Sequence, residues 1–123
     1  MINYGKQSIN QEDIDSVIEV LQSDFLTQGP KVPKFETLVK NYCDSKYSVA
    51  TNSATSALHT ACMALDLGPG DFLWTSPNTF VASSNAALYC GASVDFVDIN
   101  KETYVMSPKA LEEKLISARK NKV

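Results

Sequence analysis

Apolar residues recur every three or four positions along "INQEDIDSVIEVLQSD", placing Ile14, Val17, Ile18 and Leu21 on one helical face. Asn10 stands before them as a cap, and acidic residues fill the first turn, where the helix dipole favours negative charge. "FLTQGPKVP" interrupts the period with Gly29, Pro30 and Pro33, and "KFETLVKNYC" resumes it through Phe35, Leu38, Val39 and Tyr42. Two amphipathic helices joined by a loop are predicted. From Tyr47 the pattern shortens, and "YSVAT", "DFLWTS" and "SVDFVDI" become β-favouring runs separated by stretches rich in Ala and Leu. The predicted order is strand, helix, strand, helix, strand. Parallel strands need helical crossovers, so the fold class is α/β, an open sheet with helices on its faces. "SPKALEEKLISARK" adds a last helix, with Ser107 as cap, Pro108 at the first helical position, and Leu111, Leu115 and Ile116 facing inward. A helix of this kind normally leads into another strand, and "KNKV" stands where one is expected, so the chain reads as a fragment.

Composition narrows the partners. At 123 residues, 44% hydrophobic and 20% charged, the chain is long enough to bury a core as one globular domain. A net charge of −3, with both signs spread along the chain, gives no electrostatic footprint for nucleic acid or an anionic membrane. Cys43, Cys62 and Cys90 are odd in number and widely spaced, which suits neither a disulfide framework nor a zinc site. With no targeting pattern and no apolar run of membrane-spanning length, a cytoplasmic protein is expected.

The segment most suggestive of chemistry is "TNSATSALHTACMAL", where a β-favouring run passes into a helix through small polar residues. In open α/β sheets ligands bind at the carboxyl ends of strands, where the unpaired N–H groups of the following helix are found. Ser53, Ala54 and Thr55 fall there, with little bulk to keep an anion from the backbone and hydroxyls to add donors. The same residues also suit a plain helix cap at Asn52 or Ser53. The motif is neither a dinucleotide glycine fingerprint nor an ATP phosphate loop. In "TSPNTFVASSNAALYCGA" a second helix is predicted to begin near Thr79, with Phe80 in its first turn, able to stack on a flat ligand or to pack in the core. His59 has no partner at ligand spacing and reads as structural, and Asp95 and Asp98 mark the polar face of a strand rather than a catalytic pair. The charges of the last helix read as a solvated face. No catalytic or metal-binding residue is assigned.

Three blocks, "YGKQSINQEDIDSVIEVLQSDFLTQGPKVPKFE", "NSATSALHTA" and "GPGDFLWTSPNTFVASSNAALYCGASVDFVDI", resemble in order and spacing the N-terminal third of the DegT/DnrJ/EryC1/StrS sugar aminotransferases. The resemblance covers the whole chain. It implies an aspartate aminotransferase (fold type I) architecture, of which residues 1–123 would form the N-terminal segment and part of the large domain, with pyridoxal 5'-phosphate as cofactor. The implied reaction moves an amino group from L-glutamate to C4 of a UDP-linked 4-keto-6-deoxy-N-acetylhexosamine, in pseudaminic acid biosynthesis, and the full-length form would be a homodimer. By the same resemblance Ala54 and Thr55, beside Ser53, hold the cofactor phosphate, Phe80 stacks on the pyridine ring, and Tyr4, Asp24, Phe25, Leu26 and Thr27 line the substrate pocket. Pyridoxal chemistry also needs a lysine to carry the cofactor and an acid facing the pyridinium nitrogen. None of the ten lysines lies in the family's cofactor-lysine motif, so this chain alone is expected to be inactive. A sugar dehydratase of the same family, or a module that binds a phosphorylated ligand without chemistry, are the alternatives.

Overall fold

The structure is a computed structural model, described over residues 5–121, and it divides after Ala50 into two compact units. In the first unit, α1 (Gln11–Leu21) begins with a reciprocal cap. The Asn10 side chain accepts the Asp13 N–H at 3.1 Å, and the Asp13 carboxylate accepts the Asn10 N–H at 2.9 Å. The second helix, α2 (Lys31–Tyr42), starts earlier than the sequence pattern predicts. Pro33 lies in its first turn, where a missing N–H costs nothing, so it does not break the helix as expected. The Lys31 ammonium meets the Glu19 carboxylate at 2.7 Å, joining the two ends of the intervening loop. That hydrogen bond and charge lower the Glu19 pKa from its ordinary value. α2 closes with Asp44 in the left-handed region (φ +48°), which lets the Ser45 N–H reach back to the Lys40 carbonyl at 3.0 Å.

The run Tyr47–Thr51, read from sequence as the first strand, forms no ladder among the described residues. β propensity records how a residue fits a sheet and does not by itself create one. Here the Ala50 N–H is taken by the Glu36 carboxylate at 2.8 Å instead of by a neighbouring strand.

The second unit contains α3 (Ala54–Ala64), β1 (Phe72–Thr75), α4 (Ala82–Tyr89), β2 (Ser93–Phe96) and α5 (Pro108–Asn121). β1 and β2 are parallel, in register from Phe72 opposite Ser93 to Thr75 opposite Phe96, with α4 as the crossover between them. α4 packs on α3 and on both strands. Its inward residues Ala82, Ala86 and Ala87 are buried with Cys62, Ala92 and Val97, and these form the core of the unit. Gly91 ends α4 at φ +76°, so that the Ala92 N–H bonds the Ala87 carbonyl at 3.0 Å and the chain turns directly into β2.

Ser107 caps α5 as expected, its hydroxyl accepting the Ala110 N–H at 3.3 Å. The inward face is narrower than the sequence suggests: Leu111 is half-buried, but Leu115 and Ile116 are 50% and 48% exposed. Nor are the charges of α5 all solvated. Lys114 forms an ion pair with Asp95, donates to the Phe96 carbonyl at 2.8 Å, and sits 5.2 Å from the centre of the Trp74 ring. One cation thus ties α5 to both strands.

The Lys114 hydrogen bond, with one from the Phe96 N–H, holds the Asp95 carboxyl below its ordinary 3.8. Because the folded-state value is the lower one, the stabilisation is complete above pH 3.8 and is lost as pH falls through the folded-state value. An Asp95→Asn chain is therefore expected to melt below the parent chain near neutrality, with the gap closing in acid. Thermal melts across that range, with a gap that stays constant, would show the pair contributes nothing.

Candidate functional site

Ser53, in an extended conformation (φ −162°, ψ 158°), is the N-cap of α3, and its hydroxyl accepts the Ser56 N–H at 3.2 Å. The Thr51 hydroxyl donates to the Ser53 carbonyl at 2.9 Å, and the same carbonyl takes the Ala57 N–H at 3.0 Å. The turn is therefore a helix cap, as one of its two readings from sequence had it. The cap leaves something over. Helix geometry gives the N–H groups of Ala54 and Thr55 no intrahelical acceptor, and none meets them among the described residues. Both belong to the positive end of an 11-residue helix, beside small side chains and the half-buried Thr55. An anion here could take two backbone N–H groups and the Thr55 hydroxyl without displacing any existing bond. The residues fit a phosphate.

Phe80 is placed differently from its expected position. α4 starts at Ala82 with Val81 as N-cap, so Phe80 lies in the turn leading into the helix, not in its first turn. No side chain caps Val81; instead the carbonyls of Phe80 and Val81 take the Ser83 and Ser84 N–H groups at 3.0 and 3.1 Å, a tight turn that delays the α-helix. Phe80 is 75% exposed, so it lies outside the core of this unit and its aromatic plane is open among the described residues.

In the first unit, Asp24, Phe25 and Leu26 help line a cleft of about 290 Å³ together with Glu19, Val20 and Lys31; Thr27 is outside its lining. The Ser23 hydroxyl shapes this loop by donating to the Val20 carbonyl at 2.8 Å. Gly29 packs so closely that an added Cβ would lie 3.1 Å from the Phe25 carbonyl oxygen. Tyr4 lies outside the described residues.

The remaining candidates have structural partners. The His59 ring is 5.3 Å from that of Tyr89, Asp95 belongs to Lys114, and the Asp98 carboxylate accepts the Ile99 N–H at 2.8 Å. All three cysteines are free, and burial pushes the Cys62 thiol up. Among the described residues no helix is long and apolar enough to cross a membrane, and no cluster of metal-ligating side chains occurs. Sequence reasoning missed one long-range contact beside Phe80. The Asn78 amide donates to the Tyr104 carbonyl at 3.1 Å, across 26 residues, and no local motif signals it.

Comparison with known proteins gives this geometry a context. The model of the DegT/DnrJ/EryC1/StrS aminotransferase family matches residues 7–122. A Campylobacter jejuni protein named UDP-4-amino-4,6-dideoxy-N-acetyl-β-L-altrosamine transaminase is 43% identical over 116 residues, 94% of this chain and 30% of that one. Among solved structures, Helicobacter pylori PseC, an aminotransferase involved in the biosynthesis of pseudoaminic acid, superposes with a TM-score of 0.83 at 33% identity, covering 90% of this chain and 30% of its own. The PLP form of a Streptococcus pneumoniae protein described as a sugar aminotransferase gives 0.86 at 32% identity, covering 91% of this chain and 29% of its own. The fold is thus the α/β fold of these enzymes in part, and the chain spans about three tenths of the length of the relatives it matches.

Proposed function

The chain belongs to the DegT/DnrJ/EryC1/StrS aminotransferase family, and on that premise we propose that it is the phosphate-holding N-terminal part of a pyridoxal-phosphate-dependent sugar-nucleotide aminotransferase. The observation that carries the reading is the pair of N–H groups at Ala54 and Thr55 with no acceptor, at a helix start already capped by Ser53. A cap that consumed every donor would leave nothing for a phosphate.

In this reading the amides of Ala54 and Thr55 and the Thr55 hydroxyl hold the cofactor phosphate, with Ser53 fixing the turn that presents them. Phe80 supplies the stacking face for the pyridine ring. Asp24, Phe25 and Leu26, which line the cleft of the first unit, would contact the sugar nucleotide, and Thr27 and Tyr4 are given the same role by the family resemblance alone. When bound, pyridoxal phosphate supplies an electron sink for charge that develops beside the transferred amino group. The names of the Campylobacter and Helicobacter relatives support a UDP-linked 4-keto-6-deoxy-N-acetylhexosamine as acceptor in a pseudaminic acid pathway; L-glutamate as donor is proposed from the family resemblance alone. The full-length enzyme would be a cytoplasmic homodimer. None of the lysines here lies in the family's cofactor-lysine motif, so the 123-residue chain would bind cofactor without turnover.

Titrating the chain with pyridoxal phosphate, followed by quenching of the single tryptophan Trp74, tests the reading. Inorganic phosphate should compete, and pyridoxal lacking the phosphate should bind at least ~10-fold more weakly, the loss of several charge-assisted hydrogen bonds. Phe80→Leu should weaken binding by about 2- to 10-fold, the worth of one aromatic stack. Equal affinity for pyridoxal and its phosphate would overturn the assignment of the cradle.

A further inference from the structure

Phe80 is exposed and lies in a turn, so core packing does not fix where its ring points and the turn itself decides where the ring is presented. On its C-terminal side the turn is closed by the Ser83 N–H bond to the Phe80 carbonyl and by the 3.1 Å contact between the Thr79 and Ser83 hydroxyls. On its N-terminal side the only local tie among the described residues is the Asn78 N–H to the Ser76 hydroxyl, at a long 3.3 Å. The stronger restraint comes from elsewhere in the unit, through the Asn78 side-chain amide and the Tyr104 carbonyl.

Tyr104 is unusual in its own right. It is a bulky non-glycine residue in the left-handed region, at φ +59°. Asn100 holds it there: its side-chain oxygen accepts the Glu102 and Thr103 N–H groups at 2.8 and 3.1 Å, and its carbonyl accepts the Tyr104 N–H at 2.8 Å. The Asn100 N–H bonds the Val105 carbonyl at 2.8 Å, and an antiparallel bridge between Ile99 and Met106 closes the base of the loop. This loop is over-determined, and its strained conformation directs the Tyr104 carbonyl at Asn78. A strained residue persists only where its surroundings enforce it, and such residues cluster at functional sites.

We infer that Asn78 is a positioning residue, which anchors the turn carrying Phe80 to the rigid 99–106 loop and so sets the plane the ring offers to a cofactor. The inference rests on the proposed stacking role of Phe80. The Asn78 amide serves the Tyr104 carbonyl because it carries N–H donors, whereas an ionised Asp at this position would set two acceptors against each other.

The experiment places 4-fluorophenylalanine at position 80 and follows its fluorine resonance in the 123-residue chain. Asn78→Ala should shift or broaden that resonance while the thermal midpoint moves by no more than about 4–8 °C, the change expected for one lost hydrogen bond. Asn78→Asp should do the same, and Asn78→Gln, which keeps the donor, should restore the resonance at least in part. A resonance unchanged in Asn78→Ala overturns the inference, as does a shift that appears only together with global unfolding. A second measurement separates this inference from the reading beneath it. Asn78→Ala should weaken pyridoxal phosphate about 2- to 10-fold, the worth of one hydrogen bond, with affinity for inorganic phosphate unchanged. If Phe80→Leu leaves pyridoxal phosphate binding unaltered, the stacking role fails, while the fluorine result still decides whether Asn78 positions the ring.

Discussion

A Thr55→Glu chain is expected to lose at least ~10-fold in affinity for pyridoxal phosphate while melting no lower than the parent, since a carboxylate at a helix N-terminus contributes roughly 0.3–1 kcal/mol. Thr55 is the second residue of α3, one past Ala54 and two past the Ser53 cap. A carboxylate there neutralises the same N–H groups and dipole that the phosphate would use, so the helix gains and the ligand loses. Like charges about 4 Å apart also repel by roughly 1 to 4 kcal/mol, depending on solvent access. Thr55→Val removes only the hydroxyl and should cost about 2- to 10-fold, with both backbone donors left in place. Equilibrium dialysis and thermal melts on the same samples read the two quantities separately. Stability and binding falling together in Thr55→Glu would mean that the turn is purely structural. Unchanged binding would put the phosphate elsewhere.

The Ser53 cap from which the opposite signs expected at Thr55 follow was legible in the sequence, because small polar residues ahead of an apolar helical run mark an N-cap; the anion seat is the proposal built on the donors that cap leaves over. The α1 cap was equally legible, because Asn10 and Asp13 are three residues apart and their reciprocal bonds are local. What sequence did not disclose depends on partners remote along the chain. The Tyr47–Thr51 run has the composition of a strand, but its Ala50 amide is committed to Glu36, 14 residues away. Lys114 resembles any charge on a solvated helix until the fold brings Asp95, Phe96 and Trp74 around it. The helix start beside Phe80 was misplaced, since a backbone turn at Phe80 and Val81 replaces the side-chain cap a sequence can display. Asn78 offered no signal because its partner is a backbone carbonyl, which carries no residue identity.

Ala87→Leu should destabilise the second unit by about 1–3 kcal/mol and occasionally more, as overpacking of a tight core does. Ala87 is 0% exposed and Ala86 1%, on a helix that packs on α3, β1 and β2 together. Three buried alanines on eight residues let α4 lie close to the sheet, so the helix has no spare volume into which a larger side chain could rotate. The Ala87 carbonyl also takes the Cys90 and Ala92 N–H groups, both at 3.0 Å. A shift of α4 to admit leucine would disturb the turn at Gly91 and with it the register of β2 against β1. The consequence reaches the site, because Phe80 enters α4 only two residues before its first turn. Denaturant titration should show a lower midpoint, and pyridoxal phosphate binding should weaken in the fraction that remains folded. Leu88, exposed on the same helix, is the control: Leu88→Ala should change stability by no more than about 0.5 kcal/mol, as exposed substitutions do. Equal effects at the two positions would mean that α4 is not held against the sheet as described, and that the turn carrying Phe80 has no rigid base.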